Sequence, residues 1–202
     1  MPGINKARLQ HCILLGIIFF LSIPVSGQVI SDGRYGGFML GYGVSHPGFG
    51  QTTERVHVLD VIPRFSFVQD KNLGSDWYIF NRELWIELPA SVILSDSDNN
   101  DHHDIGMISA TFLMALVSKA NSEVEPYVAL GGGPVYIAGD IDGVGSDICG
   151  NYQFDLGVRF KLSNGNILNF ECRYHHISNM GMESPNVPLN STKFAIGIII
   201  PF

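Results

Sequence analysis

The amino-acid sequence predicts an all-β protein, specifically an eight-stranded antiparallel transmembrane β-barrel of the outer membrane. Three observations carry this prediction. Apolar and polar residues alternate with a period of two, the connections between the alternating segments are short and long in turn, and the chain ends in the aromatic residue Phe202. Barrels of this kind alternate in the same way, with short turns at one end and longer loops at the other. A soluble β-sandwich or a lipocalin-like barrel would also alternate and is the alternative.

The predicted strands have the length that a tilted barrel strand needs to cross a membrane. Their ranges are 34–46, 54–68, 76–93, 103–118, 124–138, 150–163, 166–178 and 191–202. If the chain enters from the periplasm, the longer connections fall on the cell exterior. These are 45–53, 94–103, 139–149 and 179–190.

The seventh predicted strand shows the alternation most clearly. One of its faces carries Leu168, Phe170, Cys172 and Tyr174. The other face carries Asn169, Glu171, Arg173 and His175. An apolar face and a charged face fit a barrel with a lipid-facing exterior and a polar interior. Four charged residues should then form a salt-bridged plug that argues against a channel or an apolar ligand cavity: Asp155, Arg159, Glu171 and Arg173.

Composition and the N-terminal segment narrow the class further. The formal net charge of -7 argues against a nucleic-acid partner, which would need a basic surface. Residues 1–28 have the features of a secretory signal peptide, which would leave 29–202 as the barrel domain. Lys6 and Arg8 give it a positive start, before an apolar run and small residues suited to cleavage. An uncleaved anchor helix is the alternative for this segment.

Two polar residues, His176 and Ser178, continue the apolar face of the seventh strand at its surface end. Side chains two residues apart on a strand lie on one face, roughly 6.5–7 Å apart, so an imidazole could reach the hydroxyl. A simpler explanation is that the two residues mark the end of the apolar band, where strands of barrels often become polar.

The segment His176-Ile177-Ser178-Asn179-Met180-Gly181, with Asn190 before a final apolar strand, resembles the PagL family of lipid A 3-O-deacylases. Members of that family are eight-stranded outer-membrane barrels with an H-x-S-N signature at the end of the penultimate strand. The resemblance implies that Ser178 is the nucleophile and His176 its general base. It also implies an oxyanion hole formed by Asn179 and the backbone N–H of Gly181.

Asn190 departs from the family pattern, because the best-known members have a glutamate at this position as the third member of the triad. An amide can hold an imidazole in one orientation, but it cannot stabilise the imidazolium by charge. Asn190 is therefore a predicted catalytic residue and also the main argument for the alternative function, a non-catalytic structural or adhesive barrel of the same descent.

The resemblance implies a carboxylic ester hydrolase that removes an ester-linked 3-hydroxyacyl chain from lipid A. Its partners would be lipopolysaccharide as substrate and the lipid of a Gram-negative outer membrane, with a homodimer left open. Neither a cofactor nor a metal is expected: the acidic segment 140–147 has no flanking helices and lacks the final glutamate of a calcium loop. Cys149 and Cys172 are predicted to be unbridged, because they fall at different heights of the barrel.

Overall fold

The computed structural model describes residues 33–46, 55–75, 78–95, 105–119, 123–141 and 143–202. The predicted signal peptide lies outside these residues. They form ten strand segments: β1 (Arg34–Ser45), β2 (Val56–Ser75), β3 (Tyr78–Glu87), β4 (Ala90–Ser95), β5 (Ile105–Ser109), β6 (Thr111–Ser118), β7 (Val124–Ala138), β8 (Ile148–Lys161), β9 (Ile167–Ser178) and β10 (Leu189–Pro201). No helix among the described residues is long and apolar enough to cross a membrane.

All ten segments belong to one antiparallel sheet that closes on itself. The first strand, β1, pairs with the last, β10, and also with β2. From β7 onward each strand pairs with the next along the chain. Closure removes the free edges that an open sheet would expose, which is the condition for crossing a lipid bilayer with strands. The predicted antiparallel barrel is confirmed.

The ten segments correspond to eight barrel strands, two of which are interrupted. Segments β3 and β4 both pair with β2, and segments β5 and β6 both pair with β7. The first interruption contains Pro89, which has no N–H to donate. The ladder continues around it, because Leu88 N donates to Pro63 O at 3.1 Å and Ser109 N donates to Pro89 O at 3.0 Å. The second interruption is the single residue Ala110.

The predicted strand boundaries lie within two residues of the observed ones, except at the end of β2. Strand β2 continues to Ser75, so the predicted turn at 69–75 is wrong; its register with β3 shifts on both sides of Asp70. An ion pair between Asp70 and Arg82 joins the two strands across this irregular stretch. Strands β8 and β10 begin at Ile148 and Leu189, two residues before their predicted starts, because the pairing of β8 with β7 and of β10 with β9 extends that far.

The predicted faces are confirmed. Large apolar side chains cover the outside of the barrel, among them Phe38, Leu40, Leu130, Phe154, Leu156, Phe170, Phe194 and Ile196. The four predicted plug residues are buried inside. Arg173 binds Glu171 at 2.6 Å and Asp155 at 3.1 Å. Apolar surface of this extent on the outer wall is stable only when lipid covers it.

The interior plug extends beyond the four predicted residues. Arg64 Nη2 donates to Glu87 at 2.5 Å and to Glu171 at 2.7 Å. Arg159 forms a bidentate ion pair with Glu83. The guanidinium groups of Arg64 and Arg159 lie 4.2 Å and 4.8 Å from the ring centroid of the fully buried Trp85. Charges buried at this depth are stable only when paired in this way.

Towards the end of the barrel where β9 stops and β10 starts, an apolar cap closes the interior. It consists of Val56, Val58, Ile93, Met107, Val135, Ile137, Val144, Cys149, Ile177 and Leu189. Val144 belongs to the loop between β7 and β8, so this loop folds over the barrel. Between cap and plug, a cavity of about 10 Å³ beside Lys193 and His175 has room for at most one water molecule. A cavity of this size does not admit a ligand.

Candidate active site

The pairing of three strands places the predicted catalytic residues at one end of the barrel. His176 on β9 stands directly opposite Asn190 on β10 and Tyr152 on β8. Ser178, the last residue of β9, stands opposite Gly150. The neighbouring even-numbered residues of β9 and β10 face outward, so His176 and Asn190 lie on the outer face of the barrel wall.

The structure brings His176 and Asn190 into direct contact. The Nδ1 atom of His176 lies 2.7 Å from Asn190 Oδ1. An amide oxygen can only accept, so Nδ1 carries a proton, and in the neutral ring Nε2 is left with a lone pair. Asn190 is completely buried, which holds it in place beside the imidazole. A neutral imidazole held in this tautomer presents Nε2 as the acceptor that a general base requires.

Ser178 lies on the same strand face as His176 and is buried, with 9% of its surface exposed. Among the described residues it forms no hydrogen bond with His176. The side chain of Met180 packs over Gly150, since a Cβ placed on that glycine would lie 3.1 Å from Met180 Sδ. Catalytic hydrogen bonds are often long until a substrate binds. The Ser178–His176 pair is therefore brought to one face by the fold, while its hydrogen bond stays a prediction.

Asn179 ties together the two loops at this end of the barrel. Its Nδ2 atom donates to the backbone oxygens of Val144, Glu183 and Pro185 at 2.7, 3.0 and 3.1 Å. The first acceptor belongs to the β7–β8 loop and the other two to the β9–β10 loop. Asn179 is completely buried, so its amide serves as an internal clamp.

The backbone N–H of Gly181 donates to Asn179 Oδ1 at 2.9 Å. Met180 and Gly181 have φ angles of 55° and 74°, so the chain makes a left-handed turn directly after the clamp. Glycine adopts this conformation freely, whereas methionine does so at a cost. The predicted oxyanion hole stays a prediction: the Asn179 amide nitrogen points at loop carbonyls, and the Gly181 N–H is bonded to Asn179.

One contact of the site was not anticipated from the sequence. The hydroxyl of Tyr174 donates to Asn190 Oδ1 at 2.8 Å, the same oxygen that faces His176. The sequence analysis placed Tyr174 on the apolar outer face and gave it no role. Its position two residues before His176 on the same strand face was the signal that could have suggested a contact with the catalytic group.

Two other groups that might carry chemistry lie away from this site. Carboxylates of Glu87, Asp155 and Glu171 approach within 4.8 Å of one another inside the barrel. Arg64 and Arg173 bind them, so they belong to the plug. The cysteines Cys149 and Cys172 are free; the first belongs to the interior cap and the second to the outer wall.

The closed antiparallel barrel, with its apolar outer wall and ion-paired interior, belongs to the class of outer-membrane β-barrels. Residues 68–198 match the sequence model of the family described as lipid A 3-O-deacylase (PagL). The chain belongs to the PagL lipid A 3-O-deacylase family. The predicted family is thus confirmed, and with it the location in the outer membrane of a Gram-negative cell.

Solved structures show the same fold. The crystal structure of the outer membrane enzyme PagL is similar with a TM-score of 0.57 and 16% identity, covering 82% of this chain and 99% of that one. Neisserial surface protein A (NspA) is similar with a TM-score of 0.50 and 15% identity, covering 85% and 98%. Comparison with curated proteins gives no match.

Proposed function

We propose that the protein is an outer-membrane serine esterase that removes an ester-linked 3-hydroxyacyl chain from lipid A. The observation that chiefly supports this proposal is the hydrogen bond of 2.7 Å between His176 Nδ1 and Asn190 Oδ1. It orients a histidine on the outer wall of the barrel, beside a serine, within the segment that matches the family. A polar pair that only ended the apolar band would need no such orienting partner.

In the proposed reaction, Ser178 Oγ attacks the carbonyl carbon of the ester while His176 Nε2 accepts the hydroxyl proton. The tetrahedral intermediate collapses by breaking the bond to the sugar oxygen. His176 returns its proton to that oxygen, which leaves as the lipid A hydroxyl. Water then attacks the acyl-serine with His176 again acting as base, and the 3-hydroxy fatty acid is released as Ser178 is regenerated.

Asn190 supports this cycle by orientation. Its oxygen holds the His176 ring so that Nε2 points away from Asn190 and is available to accept a proton. A neutral amide adds no charge opposite the imidazolium, so we expect a slower enzyme than one with a carboxylate at this position. The same feature is the argument for the second candidate, a barrel of the same descent that has lost catalysis.

The turn after β9 supplies the donors for the oxyanion in this proposal. Asn179 and the Gly181 N–H follow directly after the nucleophile, which is where a tetrahedral oxyanion would form. The Gly181 N–H donates to Asn179 Oδ1, and Met180 beside it is 44% exposed. The Gly181 N–H can therefore exchange its partner with less rearrangement than the Asn179 amide, whose three acceptors lie in two loops.

The location of the site fits a lipid substrate. Ser178 and His176 lie on the outer wall, at the end of the barrel where the apolar band stops. The scissile ester of a lipid of this kind lies between its sugar headgroup and its acyl chains, at a corresponding depth in the membrane. The buried ion pairs of the plug argue against a further function, a barrel that binds a small molecule or lipid inside.

The test is the mass of lipid A from a Gram-negative host that has no deacylase of its own. Cells producing the protein should show lipid A lighter by one 3-hydroxyacyl chain, and cells producing Ser178→Ala should not. Ser184→Ala, in an exposed serine of the adjoining loop, is the matched control and should behave as the unaltered protein. Lipid A that is still shortened by Ser178→Ala would refute the assignment, and unchanged lipid A throughout would favour the non-catalytic barrel.

A further inference from the structure

We infer that Tyr174 is a positioning residue that fixes the orientation of the Asn190 amide and, through it, the tautomer of His176. This inference rests on the function proposed above, in which His176 is the general base. No role for Tyr174 follows from the H-x-S-N motif, which begins two residues later.

The need for such a residue follows from the chemistry of the amide. A carboxylate presents an acceptor at either end, so rotation by half a turn leaves its interaction with a histidine unchanged. The side chain of Asn190 has an acceptor at one end and a donor at the other. If its nitrogen faced His176, Nδ1 would have to accept, the ring proton would move to Nε2, and His176 could not act as a base towards Ser178.

Tyr174 contacts the oxygen end of the Asn190 amide, the end that must face His176 if Nδ1 is to carry the ring proton. Its hydroxyl lies 2.8 Å from Asn190 Oδ1, and His176 Nδ1 lies 2.7 Å from the same atom. Asn190 pairs directly with His176 across β9 and β10, and Tyr174 occupies the diagonal position on the same outer face. Diagonal neighbours of this kind are within reach of long side chains such as tyrosine.

Two donors that converge on one atom select the oxygen end of the amide. The flipped amide would turn its NH₂ group towards Tyr174 and His176, and the phenol would lose its hydrogen bond of 2.8 Å to the amide oxygen. Losing such a bond is costly in apolar surroundings. The ring of His46 packs beside the Tyr174 ring, with the two ring centroids 5.8 Å apart.

The test measures the tautomer of His176 directly. The protein is labelled with ¹⁵N-histidine, reconstituted in micelles at about pH 8, where an ordinary histidine is neutral, and the His176 signals are assigned by their loss in His176→Gln. In the unaltered protein we expect protonated Nδ1. In Tyr174→Phe we expect a substantial share of protonated Nε2, and a fall in kcat of roughly fivefold with KM unchanged, the effect of one neutral hydrogen bond.

Two further variants separate positioning from a merely structural effect. Tyr152→Phe removes a hydroxyl on the other side of the same imidazole, where the ring centroids are 6.2 Å apart and the hydroxyl contacts Met180, so it should leave the tautomer unchanged. Asn190→Asp presents oxygen at both ends, so in this background Tyr174→Phe should no longer change the tautomer.

The inference is overturned if Tyr174→Phe keeps the tautomer of the unaltered protein, or if its effect is the same with asparagine or aspartate at 190. The two proposals can fail separately, because the NMR measurement needs no substrate. Unaltered lipid A together with the expected tautomer changes would refute the esterase and support the positioning role of Tyr174. Deacylation without any tautomer change would do the reverse.

Discussion

Replacing Asn179 by alanine should release the two loops that cover this end of the barrel. The amide nitrogen has two hydrogens shared among three carbonyls, and the amide oxygen accepts one further bond from Gly181. The side chain therefore supplies the equivalent of three full hydrogen bonds. At about 1 kcal/mol each, their loss should favour loop opening by about 3 kcal/mol, or roughly 100-fold. Hydrogen exchange followed by mass spectrometry should show this loss of protection in residues 143–147 and 179–188.

Asn186→Ala is the matched control for this experiment. Asn186 lies exposed in the same loop and accepts one hydrogen bond, from the Asn179 backbone at 3.1 Å. We expect its effect on protection to be roughly fivefold at most. The clamp would be refuted if Asn179→Ala left protection unchanged while deacylation fell by about 100-fold or more. That result would instead indicate that the Asn179 amide itself stabilises the oxyanion.

Two more substitutions test the interior plug and the third member of the site. Arg64→Met should lower the free energy of unfolding in lipid vesicles by about 3 kcal/mol, the lower end of the range for a broken buried pair, because Arg173 still contacts both of its carboxylates. The control Arg82→Met removes a partly exposed ion pair and should cost less than about 1 kcal/mol; equal losses would contradict the argument. Asn190→Asp should raise kcat for deacylation about fivefold, because a charge-assisted hydrogen bond is about twice as strong as a neutral one. An unchanged or lower kcat would show that orientation alone limits the reaction.

The barrel could be predicted from the sequence because its physical cause is local. A pleated strand turns successive side chains to opposite faces, so the alternation around Phe170 and Glu171 fixed both the lipid-facing wall and the interior plug. The alternation predicts strand ends less well where the pairing of strands is irregular. Nothing in the composition of 69–75 indicates that β2 continues to Ser75, because that continuation depends on pairing with a partner strand after register shifts.

Some contacts of the candidate site could likewise be predicted from the alternation, and others could not. Strand parity placed His176 and Asn190 on one outer face, and the structure joins them. The contacts of Asn179 could not be predicted, because their acceptors are backbone atoms of Val144 and Pro185, brought together only when two loops fold over the barrel. Tyr174 lies between these cases: its face was predicted correctly, but its hydroxyl contact depends on a cross-strand diagonal that requires the register of β9 with β10.

The amide at position 190 has a physical explanation in its surroundings. Asn190 is completely buried on the lipid-facing side of the barrel wall. A carboxylate there would lose its hydration, and it would gain a full ionic partner only while His176 is protonated. The uncharged amide of Asn190 avoids this cost and gives up charge stabilisation only in the transition state. The Tyr174 hydroxyl, which donates to the amide oxygen, favours the orientation in which that oxygen faces the histidine, since an amide, unlike a carboxylate, has two different ends.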